Sequence, residues 1–181
     1  TRYYLKHDDG LAILLQAQAA RLSGKEKIAL RAFATLLSNK DAAFLGLRGL
    51  LQTALDHKNH KKALELAYRA LSLHPKQPWI IRLVYDLEIE MRQWDAALDT
   101  LGKARAIKAI DKTRAHSDYG ALLLARADDL ALQGDHNEAL SCTQKAHAHD
   151  PAFTPAALRL AKMYIDQDKR GRALKVLEKS W

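Results

Sequence analysis

Apolar and polar positions along the chain follow the spacing of amphipathic helices, and one segment recurs. Three stretches begin with Ala-Leu and carry a second alanine seven residues after the first, starting at Ala63, Ala97 and Ala139. Looser copies with the same Ala-Leu start begin at Ala29 and Ala173. Glycines and prolines are few and lie mostly between these stretches, which favours helices over strands. The pattern predicts an all-α chain built from repeats.

Successive copies are separated by 34 residues, except for one interval of 42. We therefore predict helical hairpins that share one period, interrupted by an insertion at residues 112–119 that lengthens two helices. Turn signals such as Ser23-Gly24 and Gln133-Gly134 separate the two helices of a hairpin. The predicted hairpins span residues 10–43, 44–77, 78–111, 120–153 and 154–181, and residues 1–9 are interpreted as the tail of a preceding, truncated helix.

The period and the placement of small residues resemble those of tetratricopeptide (TPR) repeats. Each second helix carries an alanine at the expected helix contact, and the first helices carry a small residue at Ala17, Ala127 and Ala161, from which Leu51 and Tyr85 depart. The resemblance covers nearly the whole chain. It implies an all-α fold, a right-handed α-solenoid of about five hairpins whose first helices line a concave face.

Candidate partner-binding residues lie at the first-helix positions that face the groove in this family. These positions hold Gln18, Arg48, Gln52, Trp79, Arg82 and Asp86. Arg48 and Arg82 are equivalent positions of neighbouring repeats, so their guanidinium groups are expected side by side. Two such groups can hold a carboxylate of a protein or peptide partner.

Each of these residues also has an ordinary structural explanation. Arg82 can pair with Asp86 one helical turn away. Gln stands where the carboxylate clamps of the TPR family have Asn, and a Lys of those clamps is missing. Trp79 either anchors a ligand or covers a hairpin junction, and Trp94 is expected in the core.

Composition and charge narrow the possible chemistry. A net charge of +8 favours anionic partners without selecting one. The basic stretch from Lys103 to Arg114 lacks the interleaved aromatic residues of single-strand binders, so we expect no nucleic-acid partner. The single cysteine, Cys142, excludes a disulfide within the chain. The eight histidines are expected at the surface, and no grouping supports catalysis, so we predict no enzyme activity, no metal and no cofactor.

Some strings that the TPR pattern does not require resemble HemY-type proteins, which are anchored in the bacterial inner membrane and associated with haem biosynthesis. They include Phe44-Leu45-Gly46-Leu47-Arg48-Gly49-Leu50, Pro78-Trp79 with Trp94-Asp95-Ala96-Ala97-Leu98, residues 14–20 and Lys108-Ala109-Ile110-Asp111. The resemblance implies a membrane anchor outside this chain and a soluble domain that faces the cytoplasm. It also implies a scaffolding role for enzymes of late protoheme synthesis.

Two other functions stay open at this point. One is direct binding of a tetrapyrrole in the groove, where arginines would meet the propionates. The other is a nucleic-acid-binding repeat domain driven by the positive charge, for which binding should weaken steeply with salt. The sequence does not determine the partner or the oligomeric state.

Overall fold

A computed structural model describes residues 2–39 and 41–180, with the backbone alone for residues 2–9. All regular structure in these residues is helical, and they contain no strand. The helices are α1 (Arg2–Leu22), α2 (Glu26–Leu36), α3 (Ala43–Asp56), α4 (His60–Leu73), α5 (Pro78–Glu90), α6 (Trp94–Ala106), α7 (Lys112–Leu132), α8 (His136–His149), α9 (Thr154–Asp166) and α10 (Arg170–Lys179).

The chain forms two compact units, unit 1 (Thr1–Met91) and unit 2 (Arg92–Trp181). In unit 1 each helix from α1 to α5 packs against the next, and α1 also contacts α3. In unit 2 the helices from α6 to α10 pack in the same sequential way. The pairs α1–α2, α3–α4, α7–α8 and α9–α10 are helical hairpins. Helices α5 and α6, which make up the third predicted hairpin, belong to different units.

Two helices differ in length from the prediction. Helix α1 runs without a break from Arg2 to Leu22, so the boundary placed at residue 10 falls inside a helix, and Thr1 lies outside the described residues. The insertion lengthens one helix rather than two. Helix α7 has 21 residues against 13 in α5 and α9, whereas α6 keeps 13 residues. Because Asp111 caps α7 by accepting a hydrogen bond from the Arg114 amide, the added residues continue that helix.

Small residues lie at the helix contacts of both units. The second-helix alanines Ala29, Ala63, Ala97 and Ala139 are fully buried, and Ala173 is 3% exposed. The first-helix residues Ala17, Ala127 and Ala161 are buried as well. At the two departures from the pattern, Leu51 and Tyr85 fill the core with larger side chains. Small residues opposite large ones allow the helices to approach closely.

Two glycines of α3 allow α2 to approach closely at Phe33. A Cβ atom added at Gly49 would lie 2.2 Å from Cε1 of Phe33, and one added at Gly46 would lie 2.6 Å from the Phe33 carbonyl oxygen. Phe33 itself is completely buried. The glycines are three residues apart and therefore lie on the same face of α3. This close contact lies on α3, which carries two of the predicted binding residues, Arg48 and Gln52.

A residue with positive φ recurs in the turn between the two helices of each repeat. It is glycine at Gly24 and Gly134, and a non-glycine residue at Lys58, Arg92 and Asp168, where φ lies between 53° and 56°. These five positions follow the repeat spacing. The position of the left-handed residue thus follows the repeat, even where the side chain disfavours this conformation.

Two predictions about single residues are wrong. Trp94 is half-buried instead of central to the core, because its indole Nε1 donates a 2.6 Å hydrogen bond to Asp129 Oδ2 on α7. His147 is buried instead of solvated, with 8% of its surface exposed and its Nδ1 unpaired among the described residues. It follows Ala139 and Thr143 at helical spacing, so it lies on the buried face of α8.

Candidate functional site

The six predicted binding residues line one groove of unit 1. Gln18 lies on α1, Arg48 and Gln52 on α3, and Trp79, Arg82 and Asp86 on α5. A cleft of about 490 Å³ between α1 and α3 is lined by Gln18, Arg48 and Gln52. A second cleft of about 560 Å³ between α3 and α5 is lined by Arg48, Gln52, Trp79, Arg82 and Asp86. Arg48 and Gln52 line both clefts. The two clefts therefore adjoin along α3.

The wall of the groove near the start of α5 is aromatic. Pro78 is the first residue of α5, where its fixed φ and missing N–H suit a helix N-terminus. Trp79 follows it and packs against the core of unit 1. The Trp79 ring lies 6.1 Å from the ring of Phe44, centroid to centroid. Trp79 thus packs at the junction between hairpins and also lines the groove, so the two alternatives considered for it are compatible.

Positively and negatively charged side chains lie toward opposite ends of the groove along the helix axes. Arg48 and Arg82 are exposed and lie in the N-terminal halves of α3 and α5. Asp56 and Asp86 lie one or two turns further along. One end of the groove is therefore cationic and aromatic, and the other end carries carboxylates. The pairing of Arg82 with Asp86 stays a prediction.

Asp56 holds two of its neighbours in place. Gln52 Nε2 donates a 2.8 Å hydrogen bond to Asp56 Oδ1, and Arg21 Nη1 lies 3.5 Å from Asp56 Oδ2. The amide donor of Gln52 is therefore directed toward Asp56. Sequence reasoning missed Arg21, although it lies 34 residues before the groove residue Leu55 and the repeat period identifies it as a lining position.

The floor between the polar groups is apolar. Leu51 and Leu83 line the cleft between α3 and α5, and Leu14 and Leu45 line the cleft between α1 and α3. Ligand sites usually combine such apolar surface with a few polar groups that fix the orientation of the ligand. The groove can therefore accept an extended chain segment with both apolar and acidic side chains.

The basic stretch noted in the sequence lies in unit 2. Arg105, Lys108 and Lys112 line a cleft of about 570 Å³ at the turn between α6 and α7, and Arg114 pairs with Asp118 at 3.4 Å. No group of three or more histidine, cysteine or acidic side chains that could hold a metal ion occurs among the described residues.

Comparison with known proteins identifies the repeat in unit 2. A family model described as tetratricopeptide repeat matches residues 130–180. The matched segment includes α8, α9 and α10. No curated protein sequence matches the chain significantly.

Several solved structures are similar to this chain. A TPR protein from Parabacteroides merdae is 18% identical, with a TM-score of 0.52 over 94% of this chain and 63% of that chain. A MamA protein is 19% identical, with a TM-score of 0.48 over 94% of this chain and 89% of that one. YrrB, described as a TPR protein with an unusual peptide-binding site, is 18% identical, with a TM-score of 0.44 over 93% of this chain and 82% of that one.

The likeness to the Parabacteroides merdae protein, together with the family match, confirms the predicted fold class of an α-solenoid of TPR hairpins. At this identity the likeness concerns the fold alone. Within the described part of the chain, no helix combines the length and the apolar character that crossing a bilayer requires.

Proposed function

We propose that this chain is a non-enzymatic scaffold that holds a segment of another protein in the groove of unit 1. One observation carries the proposal: three successive first helices contribute the six repeat-derived positions to two adjoining clefts. The exposed guanidinium groups of Arg48 and Arg82 can take carboxylates of the segment. The wall formed by Trp79 and Leu83 can take an apolar side chain.

Affinity capture from solubilised bacterial membranes tests this proposal. The bait is the chain itself, compared with an Arg48→Glu/Arg82→Glu variant. A matched control is Arg31→Glu/Arg69→Glu, which makes the same change in net charge at exposed positions outside the two clefts. We expect the same retained proteins for the unaltered chain and the control, and their loss with the groove variant. Identical captures from all three baits would refute binding through the groove.

A finer proposal rests on the resemblance to HemY-type proteins in the strings Phe44 to Leu50 and Pro78-Trp79. The retained protein is then an enzyme of late protoheme synthesis, and the full-length protein is held at the bacterial inner membrane with this part in the cytoplasm. Mass spectrometry of the captured proteins distinguishes the general scaffold proposal from the assignment to haem synthesis. If unrelated proteins are captured through the groove, the scaffold proposal stands and the haem assignment fails.

A further inference from the structure

The junction between α6 and α7 differs from the other junctions between repeats. Lys108 has a φ of 58° there, whereas the other positive-φ residues of the described chain lie in the turns between the two helices of a repeat. The Lys108 amide donates to the Arg105 carbonyl at 3.0 Å, and the Ala109 amide donates to the Ala104 carbonyl at 2.8 Å. These two bonds and the left-handed residue form a Schellman motif, which ends α6. The backbone of the turn is therefore held by hydrogen bonds.

Positive charge is concentrated at this junction. Residues 103–114 contain five lysines and arginines and one acidic residue, Asp111, so this stretch contributes +4 of the net charge of +8. Arg105 lies in the last turn of α6, Lys108 in the turn and Lys112 at the start of α7, and all three are exposed. A surface with this charge attracts anionic partners.

The three cations line one cleft of unit 2. This basic cleft, with a volume of about 570 Å³, is lined by Arg105, Lys108, Ile110, Asp111 and Lys112. Ile110 is 4% exposed, so its side chain fixes the turn that carries Lys108 to the interior of unit 2. The cations are therefore presented by a backbone that is already in place, which lowers the entropy cost of binding a ligand.

The carboxylate of Asp111 indicates which kind of anionic ligand fits the basic cleft. Its Oδ1 accepts a 2.9 Å hydrogen bond from the Arg114 amide, and the residue also lines the cleft. A phosphate ester brings acceptor oxygens of high charge, which this carboxylate repels. A protein segment brings carboxylates for the cations together with backbone N–H groups, which can donate to Asp111. The mixture of charges therefore favours an acidic protein segment over a phosphate ligand.

Two other anionic partners fit the basic cleft less well. Proteins that hold single-stranded nucleic acid stack its bases on aromatic side chains, and none of the described residues that line this cleft is aromatic. Helices that lie on a bilayer surface insert apolar side chains into it. At this junction, however, Ile110 is buried and Ile107 is half-buried.

We propose that the basic cleft binds an acidic segment of a protein partner. The guanidinium group of Arg105 takes a carboxylate through two parallel hydrogen bonds, and the ammonium groups of Lys108 and Lys112 take neighbouring carboxylates. The basic cleft lies in unit 2 and shares no residue with the groove of unit 1. Its role is therefore independent of the function proposed for that groove.

Fluorescence anisotropy with a labelled peptide of alternating Glu and Ala residues tests the proposal. We expect the unaltered chain to bind this peptide, and to bind it more weakly as the salt concentration rises. Lys108→Glu/Lys112→Glu should weaken binding about tenfold or more, because two attractions become repulsions. This variant should stay folded, since Lys108 lies in a turn and a glutamate is favourable at a helix start. Circular dichroism verifies the fold.

Two further variants show where the peptide binds. Lys145→Glu/Lys175→Glu is the matched control, because it makes the same change in net charge at exposed lysines of unit 2 outside the basic cleft. This control and the groove variant Arg48→Glu/Arg82→Glu should both bind the peptide almost as the unaltered chain does. An equal loss of binding in the control would assign the effect to net charge and overturn the proposal. A loss in the groove variant alone would place the peptide in unit 1, which also overturns it.

Two competitors test the class of ligand. Pyrophosphate, or vesicles that contain phosphatidylglycerol, are added to the complex of the unaltered chain with the labelled peptide. We expect both to displace it less well than the unlabelled peptide does at the same concentration of negative charge. If either displaces it better, the cleft is a site for a phosphate ligand or a lipid surface and the proposal fails. An unaltered chain that does not bind the peptide even at low salt overturns it as well.

Discussion

Tyr68 Oη donates a hydrogen bond to Glu88 Oε1, with 2.6 Å between the two oxygens. The bond joins α4 to the first helix of the next repeat. Gln144 Nε2 donates to Tyr164 Oη at 2.9 Å between α8 and α9, and in both pairs the partners are 20 residues apart. The two bonds therefore join equivalent positions of different repeats, although the donor and acceptor side chains differ.

Removing the tyrosine hydroxyl should destabilise unit 1. Burial, followed by the hydrogen bond to Glu88, raises the pKa of Tyr68, so the hydroxyl remains a donor at all physiological pH values. Glu88 is 1% exposed, and leaving a buried acceptor without its donor costs about 1–3 kcal/mol. We expect this loss of unfolding free energy for Tyr68→Phe in urea titrations. Gln144→Leu removes a neutral, exposed donor and should cost less; an equal or larger cost would contradict the ranking.

The same glycine substitution should have opposite effects in two helices. Gly49→Ala places a Cβ against the Phe33 ring and should lower the free energy of unfolding by about 1–3 kcal/mol through overpacking. Gly102→Ala, in α6, meets no atom within 4 Å and should raise it by about 0.5–1 kcal/mol through helix propensity. Chemical denaturation measures both. Stabilisation by Gly49→Ala would show that α2 and α3 are further apart than this structure has them.

Glycine should stabilise the turn at Lys58. Its φ of 53° lies in the left-handed region, which costs a non-glycine residue roughly 1–2 kcal/mol, partly offset by the larger entropy of glycine in the unfolded chain. We expect Lys58→Gly to raise the thermal midpoint. Lys61→Gly, three residues later in α4, should lower it because that position is helical. Equal effects of the two changes would refute the turn conformation.

Stability should fall at mildly acidic pH because of His147. Burial lowers the pKa of His147, and the positive charge of Lys179 lowers it further. Below the ordinary value of 6.5 the unfolded chain therefore binds more protons than the folded chain, and the unfolding free energy decreases as the pH falls. Above that value the effect is absent.

The measurement is urea unfolding between pH 7.5 and pH 5. His147→Gln removes the titrating group and should flatten this part of the pH dependence, whereas Lys179→Gln should reduce it only in part. A pH dependence that is unchanged in His147→Gln would assign the acid sensitivity to other groups.

The hairpins could be predicted from the sequence because their signals are local and repeated. The Ala-Leu starts and the turn positions share one period, and a position defined in one repeat carries over to the next. The same period predicted that Arg48 and Arg82 lie on successive first helices, which are α3 and α5 in the structure. The same period makes Arg21 equivalent to the groove residue Leu55.

Other features depend on contacts that the period does not encode. The length of α7 is decided by where Asp111 caps the helix, which a spacing of 42 cannot specify. Trp94 is half-buried because its indole N–H donates a hydrogen bond to Asp129, a residue 35 positions away. The direction of the Gln52 amide is set by Asp56, whose second partner, Arg21, comes from another repeat.

Site-specific photocross-linking tests the central claim, that the groove of unit 1 holds a protein segment. A photoreactive amino acid replaces Leu45, which lines the groove, or Leu73, which is 52% exposed and lies outside both clefts. The scaffold account predicts cross-links to the same protein from Leu45 alone, and their loss when Arg48→Glu and Arg82→Glu are added. Cross-links from Leu73 but not Leu45, or cross-links from Leu45 that survive both changes, would contradict it.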